Sequence, residues 1–428
     1  MNLTKEQKDM LIGKEGRGPR MAMDFFCKMG EAQGASRMVE ISRVHLMPPD
    51  LMFCPYGKQG IWNQELINEL LKDVKRFKVP TTIEPKFLNF EVAKELGFPE
   101  STVKEIKEIQ GSAIERYESM GTIPTYSALP FLIFPGRFGE HISVAESIAI
   151  LWYNTIFGSR CERDDGFTSL CAAITGCVPE VGVHIPKNRH GEVVVKLKDD
   201  LNVERLAPAD YDALGYAASV RVKEKRPVFV GLPSHMRLTQ LKHFLATIAV
   251  ECGLDLMHIV GLTPEAPTLE AALGGKEPLK EITVGKKEVE QAYETACTAD
   301  NLQVDYVLLG CPHLTFPELR DVAETLKGKK VDRNVKLIAV TTRFYREAAE
   351  EMGYEQIIKD AGGILTDSMC IAFAGSHLKN CTIATESIKG AFFFSGFSPK
   401  SRRKVWFGDI KDCVKSAITG QWEGGCAK

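Results

Sequence analysis

The sequence predicts an α/β fold, a multidomain core of mainly parallel sheets flanked by helices. Three observations predict it. Short apolar, β-branched runs alternate with helical patterns along most of the chain, as expected of strands joined by crossover helices. The C-terminal half concentrates these runs in PVFVGLP, LMHIVGLT, DYVLLGCP, VKLIAVTT, GGILTDS and CTIAT. A chain of 428 residues also exceeds what one ordinary core accommodates, which implies two or three domains.

Residues 1–120 are expected to form an N-terminal α/β region. Helical patterns cover 5–12 and 20–33, and the strand VEISRVHL spans 39–46. Pro48 and Pro49 then break the chain. A helix over 63–76 and a short strand in PTTIEP (80–85) follow. A central region, 121–225, opens on GTIPTYSALPFLIFPGRFGEH, whose Pro and Gly content reads as strand and loop. In SVAESIAILWYNTIF (143–157), Ser143 and Glu146 have capping-box spacing and Gly158 supplies a C-terminal stop. The segment is apolar on most faces, so a buried helix is expected. The charged loop GSRCERDDG comes next, then a helix over 168–175. In 226–428 helical patterns at 238–251, 287–300, 316–327 and 344–352 separate most of the strand candidates. That is the pattern of a doubly wound sheet, in which ligands bind outside the carboxyl ends of the strands.

Composition excludes several classes. The formal net charge is −2, with 44% hydrophobic and 26% charged residues, so no basic excess points to nucleic acid. The polar start MNLTKEQKDM has no apolar core of a signal peptide. No apolar run reaches the roughly 18 residues of a membrane span. The 12 cysteines are too sparse for a disulfide scaffold, and the expected setting is a reducing cytoplasm. Most of these thiols are expected to be small buried apolar groups. Walker A, HExxH and CxxC patterns are absent from the sequence.

Strand ends direct attention to a few residues. Cys311 and His313 end the strand YVLLG, and Thr315 with Glu318 forms a capping box just beyond. Helix-start amides there favour a thiolate or a bound anion, although Cys-Pro-His can equally be a plain turn. Cys370 follows GILTDS and Arg343 follows VKLIAVTT, so two thiols and a guanidinium can meet on one rim. The loop Arg160-Cys161-Glu162-Arg163-Asp164-Asp165 can bind an oxyacid and hold a proton-transfer group, or be a solvated loop. Glu140 and His141 precede an expected helix start, and His45 ends a strand candidate. His258, within an apolar strand, reads as a core histidine.

Several stretches together resemble the aconitase X family: GTIPT…PF…RFGEHI (121–142), GSRCERDDG (158–166), HIVGLTPEA (258–266), LGCPHLT (309–315), EMGYEQIIKDAGG…TDSMC (351–370), ESIKGAFF (386–393) and the terminal FGDIKDCVKSAITGQW. The likeness runs in order over nearly the whole chain. It implies an aconitase-like core and a hydro-lyase that removes water from a small hydroxy acid at an iron–sulfur cluster. In such a centre iron stabilises the departing hydroxide while a base takes the neighbouring proton. Members dehydrate 5-phosphomevalonate or cis-3-hydroxyproline, and 5-phosphomevalonate is the substrate expected here. The family also needs a small swivelling domain, so a small partner subunit is implied, with a serine base as one contribution it could make.

By this resemblance Cys311 and Cys370, with Cys161 as third thiol, would ligate the cluster. His45, Glu140, His141, Arg160, Arg163 and Asp164 would bind substrate or move protons. Glu162, Arg343, Ser387 and Lys389 would bind substrate, Ser387 and Lys389 through its carboxylate or phosphate. The sequence departs from the family where Tyr126 and Ala128 replace cysteines, where Cys161 and Glu162 replace Thr and Asn, and where Cys370 falls one position late after Asp367-Ser368-Met369. Glu386-Ser387-Ile388-Lys389 stands where the family has Asn-Ser-Ala-Lys. Two alternatives therefore stand beside the first reading: a dehydratase of another hydroxy acid with a smaller cluster, mononuclear iron or no metal, and a non-catalytic binding subunit.

Overall fold

Parallel strands dominate the architecture. The computed structural model describes residues 1–52, 58–223, 225–396 and 403–425. A three-stranded sheet has the order Thr81–Ile83, Val44–Leu46, Ser143–Val144. A four-stranded sheet runs His258–Ile259, Pro227–Val230, Val193–Leu197, Lys280–Val284. A five-stranded sheet runs Ile364–Asp367, Lys336–Thr341, Tyr306–Leu314, Thr382–Thr385, Lys404–Phe407. Every pairing within these three is parallel. A short antiparallel pair, Met38–Glu40 with Cys177–Pro179, stands apart. This is the α/β class expected. The central strands are apolar throughout because helices cover both faces of a parallel sheet; Val307, Leu308, Leu309, Ile338, Ala339 and Val340 are all buried.

The C-terminal strands differ from a single doubly wound sheet. Pro227–Val230 and His258–Ile259 join the four-stranded sheet, and the later strands form the five-stranded one. The four-stranded sheet is completed by Lys280–Val284, a mostly exposed edge strand whose polar sequence carries little strand signal.

Other differences have local causes. The segment 39–46 is two strands, because Ile41–Arg43 turns the chain from one sheet to another. The helix expected over 63–76 spans Lys58–Leu70 and stops before Asp73, whose φ is +67°. The helix expected from Ser143 begins at Ser147, with Glu146 as its N-cap, while Ser143 lies in a strand. The twenty-residue helix Glu100–Ser119 has no counterpart in the sequence reading. Its buried face contains Gln110, which interrupts the apolar stripe and pairs with both backbone groups of Leu88. The helices at Lys5–Leu11, Leu238–Glu251, Phe316–Leu326 and Arg343–Glu351 fall close to their expected positions. No helix among the described residues is long and apolar enough to cross a membrane.

Candidate active site

The carboxyl ends of two parallel sheets face each other across a cavity of about 300 Å³. From the three-stranded sheet come Met47, Glu84 and Glu146, each just past its strand. From the five-stranded sheet come Cys311 and His313 at the end of its central strand, and Cys370 beyond Ile364–Asp367. Lys389, in the helix Ile388–Ser395, closes the space between them. Arg163 enters from the charged loop. This is where an open parallel sheet places its ligands.

The electrostatics are built around one ion pair. Lys389 Nζ lies 2.5 Å from Glu146 Oε1 and 3.1 Å from Ser147 Oγ. Burial opposes both charges, yet the pairing outweighs it: Glu146 is held below the usual carboxylate range and Lys389 above the usual ammonium range. Arg163 donates to the Ala249 carbonyl (3.0 Å) while facing the cavity. Burial lowers its pKa, against the charges of Glu146 and Asp255. Beside the ion pair, Glu84 meets His45 Nε2 at 2.5 Å, and His45 Nδ1 meets Thr82 Oγ1 at 2.8 Å. Burial drives the Glu84 carboxyl well above its usual range, with the Glu146 charge adding to the effect, and takes His45 down to about 3. Burial thus favours the neutral form of both members of that contact.

On the opposite wall His313 Nε2 donates to the Met369 carbonyl at 2.9 Å, which leaves Nδ1 as a bare acceptor without a partner. Burial takes this imidazole down to about 4. Burial also raises the two thiols, Cys311 well above its usual range and Cys370 to about 12.

The structure thus brings together Cys311, Cys370, Arg163 and Lys389 of the residues singled out in the sequence. Three more support the walls from behind. His45 backs Glu84. Ser387 caps the helix Ile388–Ser395, accepting from Gly390 N at 2.9 Å and donating to the Cys311 carbonyl. Asp164 accepts from Ser143 Oγ at 2.5 Å, beside the strand that leads to Glu146, and burial pushes its pKa up to about 7.

The remaining candidates lie elsewhere, because their partners hold them away from the cavity. Glu140 pairs with Arg43 (2.7 Å) and accepts from Ser42 (2.5 Å). His141 meets His184, ring nitrogen to ring nitrogen, at 2.9 Å, and its backbone bridges to Arg160. Glu162 turns back to accept from Val183 N at 2.5 Å. Arg343 is exposed on its helix, 3.6 Å from Glu347. Cys161 is fully buried behind the loop, its Sγ 3.4 Å from Asn154 Nδ2 and 3.9 Å from the Ile150 carbonyl. Among the described residues no three His, Cys, Asp or Glu side chains converge to hold a metal ion. Cys311 and Cys370 face one cavity without Cys161, so these residues do not fit a cluster held by three thiolates.

Glu84 and Glu146 were missed by sequence reasoning. Glu146 has the spacing of a helix-capping residue, and Glu84 ends a strand only three residues long. The available signal was the strand-end rule itself, applied to the short N-terminal strands as well as the long C-terminal ones.

Comparison with known proteins matches this frame along its length. Family models described as aconitase X first, second and third domain match residues 1–187, 191–294 and 304–419. The phosphomevalonate dehydratase large subunit of Methanocaldococcus jannaschii is 30% identical, over 97% of this chain and 100% of that one. The cis-3-hydroxy-L-proline dehydratase of Pseudomonas aeruginosa is 29% identical, over 97% of this chain and 70% of that one. The crystal structure of Thermococcus kodakaraensis aconitase X in its holo-form superposes with a TM-score of 0.82 at 28% identity, covering 97% of this chain and all of that one. An α/β frame shared along its whole length with named dehydratases defines a hydro-lyase. The chain belongs to the aconitase X family.

Proposed function

We propose that this chain is the catalytic large subunit of a dehydratase that removes water from 5-phosphomevalonate, working with a small subunit in the cytoplasm. The observation that carries the reading is the cavity itself: Lys389 and Arg163 line the same about 300 Å³ that holds two carboxyl groups. Two cations suit a substrate with a carboxylate and a phosphate, and the carboxyl groups suit proton transfer at the reacting carbons. The large-subunit names of the relatives matched end to end support both the substrate and the small partner.

The chemistry follows from charge. Dehydration needs a proton taken from one carbon and a hydroxyl carried off the next. A low-dielectric cavity with fixed charges holds the acid's carboxylate against a cation while the neighbouring bonds break. The iron–sulfur centre implied by the family would ease hydroxide departure. This chain offers Cys311 and Cys370 toward such a group, which is short of a three-thiolate set.

The test is to purify the chain anaerobically with its small subunit and incubate it with 5-phosphomevalonate and, separately, cis-3-hydroxy-L-proline. Mass spectrometry is expected to show loss of one water from the phosphorylated acid. Water loss from hydroxyproline alone would move the substrate; turnover of neither acid would overturn the proposal.

A further inference from the structure

Glu84 and Glu146 end the two outer strands of the three-stranded sheet, and His45 lies on the strand between them. The groups facing the two carboxyls come from every neighbouring element. Lys389 comes from the helix Ile388–Ser395 and Arg163 from the charged loop. Cys311, His313 and Cys370 come from the five-stranded sheet across the cavity. Among the described residues, the one lysine or arginine in salt-bridge contact with either carboxyl is Lys389, and its ammonium is on Glu146. Glu84 is left with an imidazole partner. Glu84 is only 2% exposed, and among the described residues no lysine or arginine is in salt-bridge contact with it; burial of this kind favours the protonated form of a carboxyl.

The hydrogen-bond chain behind Glu84 agrees. Thr82 Oγ1 donates to the Val44 carbonyl at 3.3 Å, so it accepts from His45 Nδ1–H. Neutral His45 then presents a bare Nε2 to Glu84, and the hydrogen in that 2.5 Å contact belongs to the carboxyl. The imidazole holds the acid in place without taking its proton.

From this geometry we infer that Glu84 is a catalytic acid of the site, giving the proton that carries away the substrate hydroxyl, with His45 as its positioning residue. The inference rests on the dehydratase reading above and names the proton donor within it. The Glu146 carboxylate takes the carbon-bound proton, and the C–H electron pair becomes the new π bond. The C–O pair leaves on oxygen, which accepts the Glu84 proton and departs as water. Glu84 is then the carboxylate and Glu146 the acid. Exchange with solvent water takes the proton from Glu146 and returns one to Glu84, so the cycle closes without another reactant. Two carboxyls whose surroundings push their pKa values apart divide acid and base roles in this way.

The test uses the complex of this chain with its small subunit, 5-phosphomevalonate, and the analogue with fluorine in place of the leaving hydroxyl. Fluoride leaves without a proton. Glu84→Gln keeps a hydrogen bond to His45 but has no acid proton. It is expected to lower kcat for water loss by about 10²–10⁴-fold, to change KM little, and to leave fluoride loss near the wild-type rate. Wild-type water loss is expected to fall at alkaline pH as Glu84 ionises, with no matching fall in fluoride loss. Equal losses on both substrates, no loss on either, or a shared alkaline limb would overturn the inference. The wild-type pH comparison decides the matter even if Glu84→Gln does not fold. Absence of wild-type turnover on either compound would instead sink the dehydratase reading itself.

Discussion

Lys389 Nζ lies 2.5 Å from Glu146 Oε1, and this contact ties the helix that follows the strand Thr382–Thr385 of the five-stranded sheet to the end of the three-stranded one. The two halves of the cavity are therefore held at a fixed separation by a buried charge pair. Lys389→Met leaves Glu146 buried and uncompensated, and is expected to cost roughly 3–5 kcal/mol. Lys389→Met with Glu146→Gln removes both charges and is expected to recover most of that loss. Denaturant unfolding of the two variants measures the difference; equal destabilisation would show that the charge pair does not hold the halves together.

Gly310 sets the position of Cys311. Its φ is +108°, and a Cβ there would come within 2.2 Å of the Val340 carbonyl on the adjacent strand. Its amide donates to Glu386 Oε1 at 2.9 Å. Gly310→Ala is expected to destabilise the chain by roughly 2–4 kcal/mol through overpacking and backbone strain. It is also expected to displace the Cys311 wall of the cavity, lowering kcat even where the variant remains folded. Thermal unfolding together with steady-state kinetics reads both effects.

A second buried charge network predicts how stability varies with pH. His243 lies 2.6 Å from Asp212 and 2.8 Å from Glu318, and Lys242 lies 2.6 Å from Glu318. Burial opposes the imidazolium and Lys242 repels it, but the two carboxylates win and raise His243 to about 9 from 6.5. The folded state binds this proton more tightly than the unfolded chain. The stabilisation is complete below pH 6.5 and fades as pH rises toward about 9. His243→Gln is expected to flatten that part of the curve of unfolding free energy against pH. An unchanged slope between these pH values would contradict the assignment.

The thiols separate by position. Cys311 and Cys370 face the cavity, and Cys161 is enclosed by Asn154 and Ile150. Iron and acid-labile sulfide per chain, measured after anaerobic purification with the small subunit, are expected to be unchanged in Cys161→Ser. Cys311→Ser and Cys370→Ser are expected to lower whatever iron is bound. Loss of iron in Cys161→Ser alone would place the metal elsewhere.

Legibility in the sequence followed the length of each element. Apolar strands such as that carrying Val307, Leu308 and Leu309, and capped helices such as Phe316–Leu326, announce themselves through burial and N-terminal chemistry. Cys311 and Cys370 could be placed because each ends a strand of that kind. The other half of the site was hidden for physical reasons. Strands of two or three residues leave too little alternation to fix where they end, so Glu84 read as part of a strand and Glu146 as a capping residue. The charged loop misled in the opposite direction: Glu162 spends its carboxylate on the backbone of Val183. A sequence shows the charge but not which backbone amide will satisfy it.

The central claim is that this cavity breaks and remakes a C–O bond next to an acid. The most direct measurement is to incubate the complex with 5-phosphomevalonate in heavy-oxygen water, then analyse both product and recovered substrate. The account predicts an unsaturated acid short of one water, and recovered substrate carrying heavy oxygen at its tertiary hydroxyl. Recovered substrate without label, together with no unsaturated product, would contradict it.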